Sequence, residues 1–270
     1  MTRTVRDTAA ALDAVAGPMS GDPFEIVPPS GSYLAQLGAP VRPLRIGYWW
    51  QPWSGHLGDP EIVAATESVA ALLADLGHNV EAARPDFSWE AFLAAMTDVW
   101  AATNAHTIDG MAAALGRAVA SDTVEGATLD LVRHGRSLSA HALLDAEVTA
   151  NHITRQVGAF FDRYDLLLTP TLGALPAALG TYDPWASTPP IEMFAEWSRH
   201  ESFLPVFNAT GHPAISLPLA ISAAAQPIGM QLVGRFGRED LLLRVAAVLE
   251  QAKPWVGRIP AIHASRLVHA

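Results

Sequence analysis

The stretch LRIGYW, residues 44–49, has the apolar and aromatic composition of a β-strand, and NVEAAR, residues 79–84, predicts a second strand. Between them, Asp59 and Pro60 form a favoured helix start, and Gly77 is placed to end that helix. A strand, a helix and a strand over this length are typical of a crossover that joins two parallel strands. The sequence therefore predicts an α/β protein.

Further strands and helices are predicted around this unit. DLLLTP, residues 165–170, is a short apolar run stopped by proline, which is typical of a buried strand. The other predicted strands are 214–219 and 227–234, and the other predicted helices are 3–16, 88–115, 125–163 with a break near Gly135, 191–204 and 239–252. Together these elements predict a mixed β-sheet flanked by helices on both faces.

Charge and composition limit the possible partners. The net charge of −10 argues against nucleic acid and anionic membranes, because both attract clustered positive charge. The chain has no cysteine and no apolar run long enough to cross a membrane, so we expect a cytoplasmic protein. Only 16% of the residues are charged, which favours a surface covered by a homo-oligomer or by a missing half of the protein.

Direct searches for catalytic and cofactor motifs find little. The sequence contains no G-x-S-x-G elbow, no nucleotide-binding glycine motif and no H-E-x-x-H metal motif, so we predict no metal and no cofactor. His212, beside a proline, is interpreted as structural or as the edge of a pocket, and Asp130 as a solvated helix position. Trp100 on the long helix 88–115 is a candidate pocket residue.

The C-terminal third carries a family resemblance. FNATGHPAISLPLAISAAAQPIGMQLVGRFGREDLLLRVAAVLEQAKPWVGRIP, residues 207–260, resembles the closing segment of the amidase signature family. DLLLTPTLGALP at 165–176 and TRTVRDTAAALDAVAGP at 2–18 resemble two further segments of that family. The details of 190–220 look most like the branch that includes 6-aminohexanoate cyclic dimer hydrolases. The resemblance implies an α/β fold that corresponds to the C-terminal portion of an amidase signature domain.

The same resemblance implies that the catalytic residues lie outside this sequence. Members of the family hydrolyse amides with a serine nucleophile, a second serine and a lysine, and a Gly/Ser-rich segment stabilises the oxyanion. The sequence holds no such Gly/Ser run, and its single lysine, Lys253, lies in QAKPW, where it does not match the catalytic lysine. We therefore expect residues 1–270 to be a partial domain without the catalytic N-terminal portion and without a catalytic residue of its own.

Six residues are candidates for binding the substrate. Thr169 and Thr171 lie at the end of the buried strand, where site residues gather in α/β proteins. In FNATG, residues 207–211, we interpret Asn208, Thr210 and Gly211 as a polar turn before the next strand. The full set of candidates is Thr169, Thr171, Asn208, Thr210, Gly211 and Trp100. The alternative is that Asn208 and Thr210 merely satisfy the backbone of that turn.

Three functions remain open at this point. The first is an amidase that hydrolyses a small-molecule amide without metal or cofactor, with this chain alone lacking the catalytic triad. The second is a non-catalytic substrate-binding or partner module derived from an amidase, whose exposed sheet edge is covered by another subunit. The third is a hydrolase with an unrecognised Ser-His-Asp site.

Overall fold

A five-stranded mixed sheet organises the described part of the chain. The computed structural model describes residues 1–259 and 262–263. The strands are β1 (Arg45–Tyr48), β2 (Asn79–Ala82), β3 (Leu166–Pro170), β4 (Ala214–Ile221) and β5 (Pro227–Gly234). They lie in the order β2-β1-β3-β5-β4, with β1 parallel to β2 and β3, and with β5 antiparallel to β3 and β4. The predicted mixed sheet is confirmed.

Helices cover both faces of this sheet. They are α1 (Val5–Val15), α2 (Tyr33–Gln36), α3 (Pro60–Asp75), α4 (Trp89–Leu115), α5 (Gly126–Ser137), α6 (Ala140–Phe160), α7 (Pro190–Glu201), α8 (Pro205–Thr210) and α9 (Glu239–Ala252). Buried residues of α1, α3 and α9 form a core on one face, and those of α4, α6 and α8 form a core on the other. Among the described residues, no helix is long and apolar enough to cross a membrane.

The β1–α3–β2 crossover forms as its local sequence predicts. The Asp59 carboxylate accepts a hydrogen bond from the backbone N–H of Glu61 at 2.8 Å, and Pro60 begins α3. Gly77 follows the end of α3 with a φ of 91°, a left-handed conformation that glycine adopts without steric cost. The parallel pairing of β1 with β2 confirms the predicted crossover.

The two cores meet at β3. Leu166 and Leu168 pack into the core with α3 and α9, whereas Leu167 packs into the core with α4 and α6. All three side chains are completely buried, and burying a leucine contributes about 1.5–3 kcal/mol relative to leaving it exposed. This alternation follows from the two-residue period of a strand.

The break in the predicted helix 125–163 lies later than expected. It falls at Leu138 and Ser139, and the Ser139 hydroxyl accepts a hydrogen bond from Ala142 N at 3.1 Å to start α6. Gly135 instead lies within α5, where it lets that helix approach α4 closely: a Cβ at this position would overlap the backbone carbonyl of Ala101. The glycine therefore serves helix packing rather than helix termination.

Strand β4 forms one edge of the described sheet. It pairs with β5 only, and its register shifts between Leu217 and Ala220, which is a β-bulge or a related irregularity. Arg258 donates a hydrogen bond from Nη1 to the carbonyl oxygen of Pro218 at 2.8 Å. Proline, an irregular register and a charged side chain all disfavour continuous pairing of an edge strand with a strand of another molecule.

Candidate functional site

A cavity of about 1000 Å³ lies among α4, α5, α7, α8 and the connecting segment 181–188. The residues that line it lie in or beside these helices or in this segment, and among the described residues none of them belongs to a strand. The sheet therefore packs against helices that line the cavity, such as α4 and α8, without contributing to the lining itself.

Aromatic side chains form one wall of the cavity. The ring of Phe194 lies 4.9 Å from that of Trp100 and 5.5 Å from that of Trp197, measured between centroids. Phe194 and Trp197 share one face of α7 because residues three apart are neighbours on a helix. Contacts of this kind suit the apolar part of a small organic ligand.

Side-chain amides and carboxylates supply the polar groups of the cavity. Asn104 donates from Nδ2 to the carbonyl oxygen of Trp100 at 2.8 Å, which fixes its side chain within α4. Asn208 lines the cavity from α8, and its side chain is exposed there. Glu125, Glu196 and Glu201 also line the cavity. Amide groups of this type can both donate to and accept from a ligand amide.

The segment 181–188 is fastened to the helices at both ends. Tyr182 forms a hydrogen bond between its hydroxyl and His200 Nδ1 at 2.6 Å. At the other end, Asp130 accepts hydrogen bonds from the Ser187 hydroxyl at 2.6 Å and from Thr188 N at 3.0 Å. The interpretation of Asp130 as a solvated position is wrong, because its side chain is only 15% exposed and holds this segment.

Trp100 and Asn208 are the two predicted binding residues that line the cavity. Sequence reasoning missed Tyr182, Phe194 and Trp197. The three-residue spacing of Phe194 and Trp197 was visible in the predicted helix 191–204, but Tyr182 lies in a loop without any periodic signal. The cavity thus combines two expected residues with a wall that the sequence did not indicate.

Thr169 and Thr171 lie at the end of β3, away from the cavity lining. Thr169 is completely buried, and its hydroxyl accepts a hydrogen bond from Gln231 Nε2 at 3.1 Å. Thr171 shares a hydrogen bond with the hydroxyl of Ser216 at 2.6 Å, above Gly229, where a side chain would collide with both. The first contact joins β3 to its antiparallel neighbour β5, and the second joins the residue after β3 to β4 across β5.

The predicted polar turn at 208–211 is instead the end of a helix. Asn208 and Thr210 lie in α8, and Gly211 ends it with a φ of 70°. The helix forms because Pro205 occupies a first-turn position and glycine provides the left-handed cap. Thr210 is buried and hydrogen-bonded to His212 Nδ1 at 2.8 Å, and burial lowers the pKa of His212.

Two hydroxyl groups of the cavity lining donate to backbone carbonyls. Ser198 donates to the carbonyl oxygen of Ala195 at 2.6 Å, and Thr181 donates to that of Ala178 at 2.7 Å. Lys253 lies at the end of α9, which packs on the opposite face of the sheet from α4 and α8. The described residues thus form an α/β protein with a mixed sheet and a lateral cavity lined by aromatic and amide side chains.

The comparisons with known proteins identify the family. The family model described as Amidase matches residues 1–243. The chain is 34% identical over 270 residues to a 6-aminohexanoate-cyclic-dimer hydrolase of Pseudomonas sp. (strain NK87), with 96% of this chain and 54% of that protein covered. It is 27% identical over 267 residues to an acylamidase of Rhodococcus erythropolis, with coverage of 97% and 53%.

A solved structure agrees with these sequence relatives. The structure of a 6-aminohexanoate cyclic dimer hydrolase superimposes with a TM-score of 0.80 at 33% identity, covering 96% of this chain and 55% of that chain. The chain belongs to the Amidase family, which confirms the resemblance found in its sequence. It spans about half the length of the relatives it matches.

Proposed function

We propose that this chain forms the substrate-binding part of an amidase that hydrolyses the carbon–nitrogen bond of a small amide. The observation that carries the proposal is the cavity of about 1000 Å³, in which the side-chain amide of Asn208 lies near an aromatic wall. An amide group pairs with another amide through one donor and one acceptor. The aromatic rings contact the apolar remainder of the ligand.

The catalytic serines and lysine are supplied, in this proposal, by residues outside these 270. A serine hydroxyl needs a base within hydrogen-bond reach to become a nucleophile. Ser198, the serine of the cavity lining, donates to a backbone carbonyl, and Lys253 lies on the far side of the sheet. The Ser54 and Ser202 hydroxyls lie 3.0 Å apart outside the cavity, without a lysine as base. This chain alone is therefore expected to bind amides without turning them over.

Binding and hydrolysis measured on the purified 270-residue chain test this proposal. Pentanamide is titrated by following tryptophan fluorescence, since Trp100 and Trp197 line the cavity. We expect saturable binding, weakened about fivefold to tenfold in Asn208→Ala, which removes one ligand hydrogen bond. Asn151→Ala, on the exposed surface of α6, is the matched control and should bind normally.

Release of ammonia from the same mixtures separates the two halves of the proposal. No release above the uncatalysed rate is expected from this chain. Ammonia release that disappears in Ser198→Ala would show a complete catalytic site within these residues. Absence of any pentanamide binding would overturn the assignment of the cavity as the amide site.

The edge strand β4 favours a second function, that of a partner module. Its outer edge pairs with no strand among the described residues, so the backbone groups away from Pro218 and the register shift can pair with another polypeptide. A homo-oligomer or a complex with the remaining part of an amidase would cover it. The mass of the purified chain in solution distinguishes self-association from a monomer.

The cytoplasmic location expected from the sequence stays a prediction, which cell fractionation would check.

A further inference from the structure

We infer that the cavity selects amides whose far end is a protonated amine over amides that end in a carboxylate. The inference rests on the proposed function and names the substrate class of that same site. It follows from the charged groups and the aromatic rings that line the cavity.

The charged groups of the cavity all have one sign. Glu125, Asp183, Glu196 and Glu201 line it, and among the described residues no lysine, arginine or histidine does. Glu196 is paired with Arg199 at 2.7 Å. In the described part of the chain, no ion pair involves Glu125 or Glu201, so both carboxylates can pair with a cationic ligand group.

The aromatic wall adds a second source of attraction for a cation. Trp100, Phe194 and Trp197 form a continuous row of rings along α4 and α7. The face of an aromatic ring carries partial negative charge and attracts ammonium groups, tryptophan most strongly. A ligand carboxylate would meet repulsion from the glutamates and no compensating contact with these rings.

The behaviour of Tyr182 agrees with a negative potential at this wall. Burial raises the pKa of the Tyr182 phenol, and the carboxylates of Glu196 and Glu201 raise it further, with Arg199 opposing them. The hydroxyl of Tyr182 lies 2.6 Å from His200 Nδ1, and this hydrogen bond fixes its position beside the cavity wall. Negative charge that stabilises a phenol over a phenolate also stabilises an ammonium over a neutral amine.

Three ligands that share a five-carbon chain test the selectivity on the full chain. Pentanamide is neutral, 5-aminopentanamide carries an ammonium and glutaramic acid carries a carboxylate at pH 7. We expect 5-aminopentanamide to bind about threefold to tenfold more tightly than pentanamide, and glutaramic acid to bind most weakly. The differences should shrink in 0.5 M salt, since screening acts on charge and leaves the amide contacts unchanged.

Two variants assign the selectivity to the cavity. Glu201→Gln should reduce the preference for 5-aminopentanamide over pentanamide at least twofold, measured as the ratio of the two affinities in the same variant. Glu192→Gln, on the same helix but outside the lining, removes the same charge and should leave the preference intact. Thermal unfolding of both variants checks that they are folded.

Each outcome decides one of the two proposals. Equal affinity of the unmodified chain for the three ligands would overturn the charge selectivity while leaving the amide site in place. An unchanged preference in a folded Glu201→Gln variant would also overturn it. If none of the three binds, the proposed function fails as well.

Discussion

The contact between α4 and α5 allows a sharp test of how the cavity is held together. Gly135→Ala places a methyl group against the backbone carbonyl of Ala101 and 2.8 Å from the Cβ of Ala105. Neither atom can rotate away, because one is backbone and the other is attached directly to it. The two helices must therefore separate, which also moves Trp100 relative to α5.

The added methyl group meets atoms that cannot move aside, so its cost lies in the upper part of the usual overpacking range, about 2–3 kcal/mol, and the better helix propensity of alanine returns about 1 kcal/mol. The expected net loss is therefore about 1–2 kcal/mol. At about 2.1 cal/mol/K per residue, a chain of 270 residues loses roughly 2–4 °C in Tm. Amide binding should weaken together with stability, because the cavity lies between these helices.

Gly110→Ala in α4 is the matched control for this experiment. A Cβ at Gly110 meets no atom within 4 Å, so the substitution should raise stability by about 0.5–1 kcal/mol through helix propensity alone. Both variants are compared by differential scanning calorimetry. If Gly135→Ala unfolds at the same temperature as Gly110→Ala or above it, the close approach of α4 and α5 described here is wrong.

Three further predictions concern buried polar groups. Gln231→Leu leaves two buried acceptors without their donor, so urea denaturation should show a loss of about 1–3 kcal/mol, whereas an unchanged midpoint would contradict the described contacts. His78→Asn should flatten the pH dependence of the free energy of unfolding. Burial lowers the pKa of His78, and the charge of Asp165 opposes this shift. The neutral ring accepts a hydrogen bond at Nδ1 from Leu44 N at 3.2 Å. Its contribution is present above the unfolded pKa of about 6.5 and is lost as the pH falls through the lower folded value, so equal slopes in the wild type and the variant between pH 7.5 and 5.5 would refute it. Asp130→Ala should expose the segment 181–188 to proteolysis at unchanged Tm, and cleavage no faster than in the wild type would show that Asp130 does not hold it.

Local sequence signals account for much of the fold. Asp59, Pro60 and Gly77 specify the ends of α3 within a few residues, because capping chemistry depends on immediate neighbours. The apolar run 165–170 specifies a strand buried on both faces for the same local reason. Gly135 was misplaced as a helix break, since its actual role depends on Ala101, which lies far away in the sequence.

The site was less accessible from the sequence. Thr169 stands at a strand end, where binding residues are common, yet its hydroxyl pairs with Gln231, 62 positions later. Asp130 looked like a surface residue because its partners lie in an irregular loop more than 50 positions away. Contacts over such separations leave no periodic pattern. Sequence spacing can therefore indicate only those lining residues that share one face of a helix, such as Phe194 and Trp197.

The separation of the cavity lining from the sheet has an evolutionary consequence. The residues that line the cavity belong to or flank helices and a loop on one side, whereas the strands and the core with α3 and α9 carry the packing on the other. Substitutions at the cavity-lining residues within 181–197 can therefore change which ligand is accepted with little effect on the sheet. Homologues are expected to diverge fastest in this segment, while β1, β3 and β5 keep their apolar character. Laboratory libraries aimed at new amide preferences would best be confined to these residues.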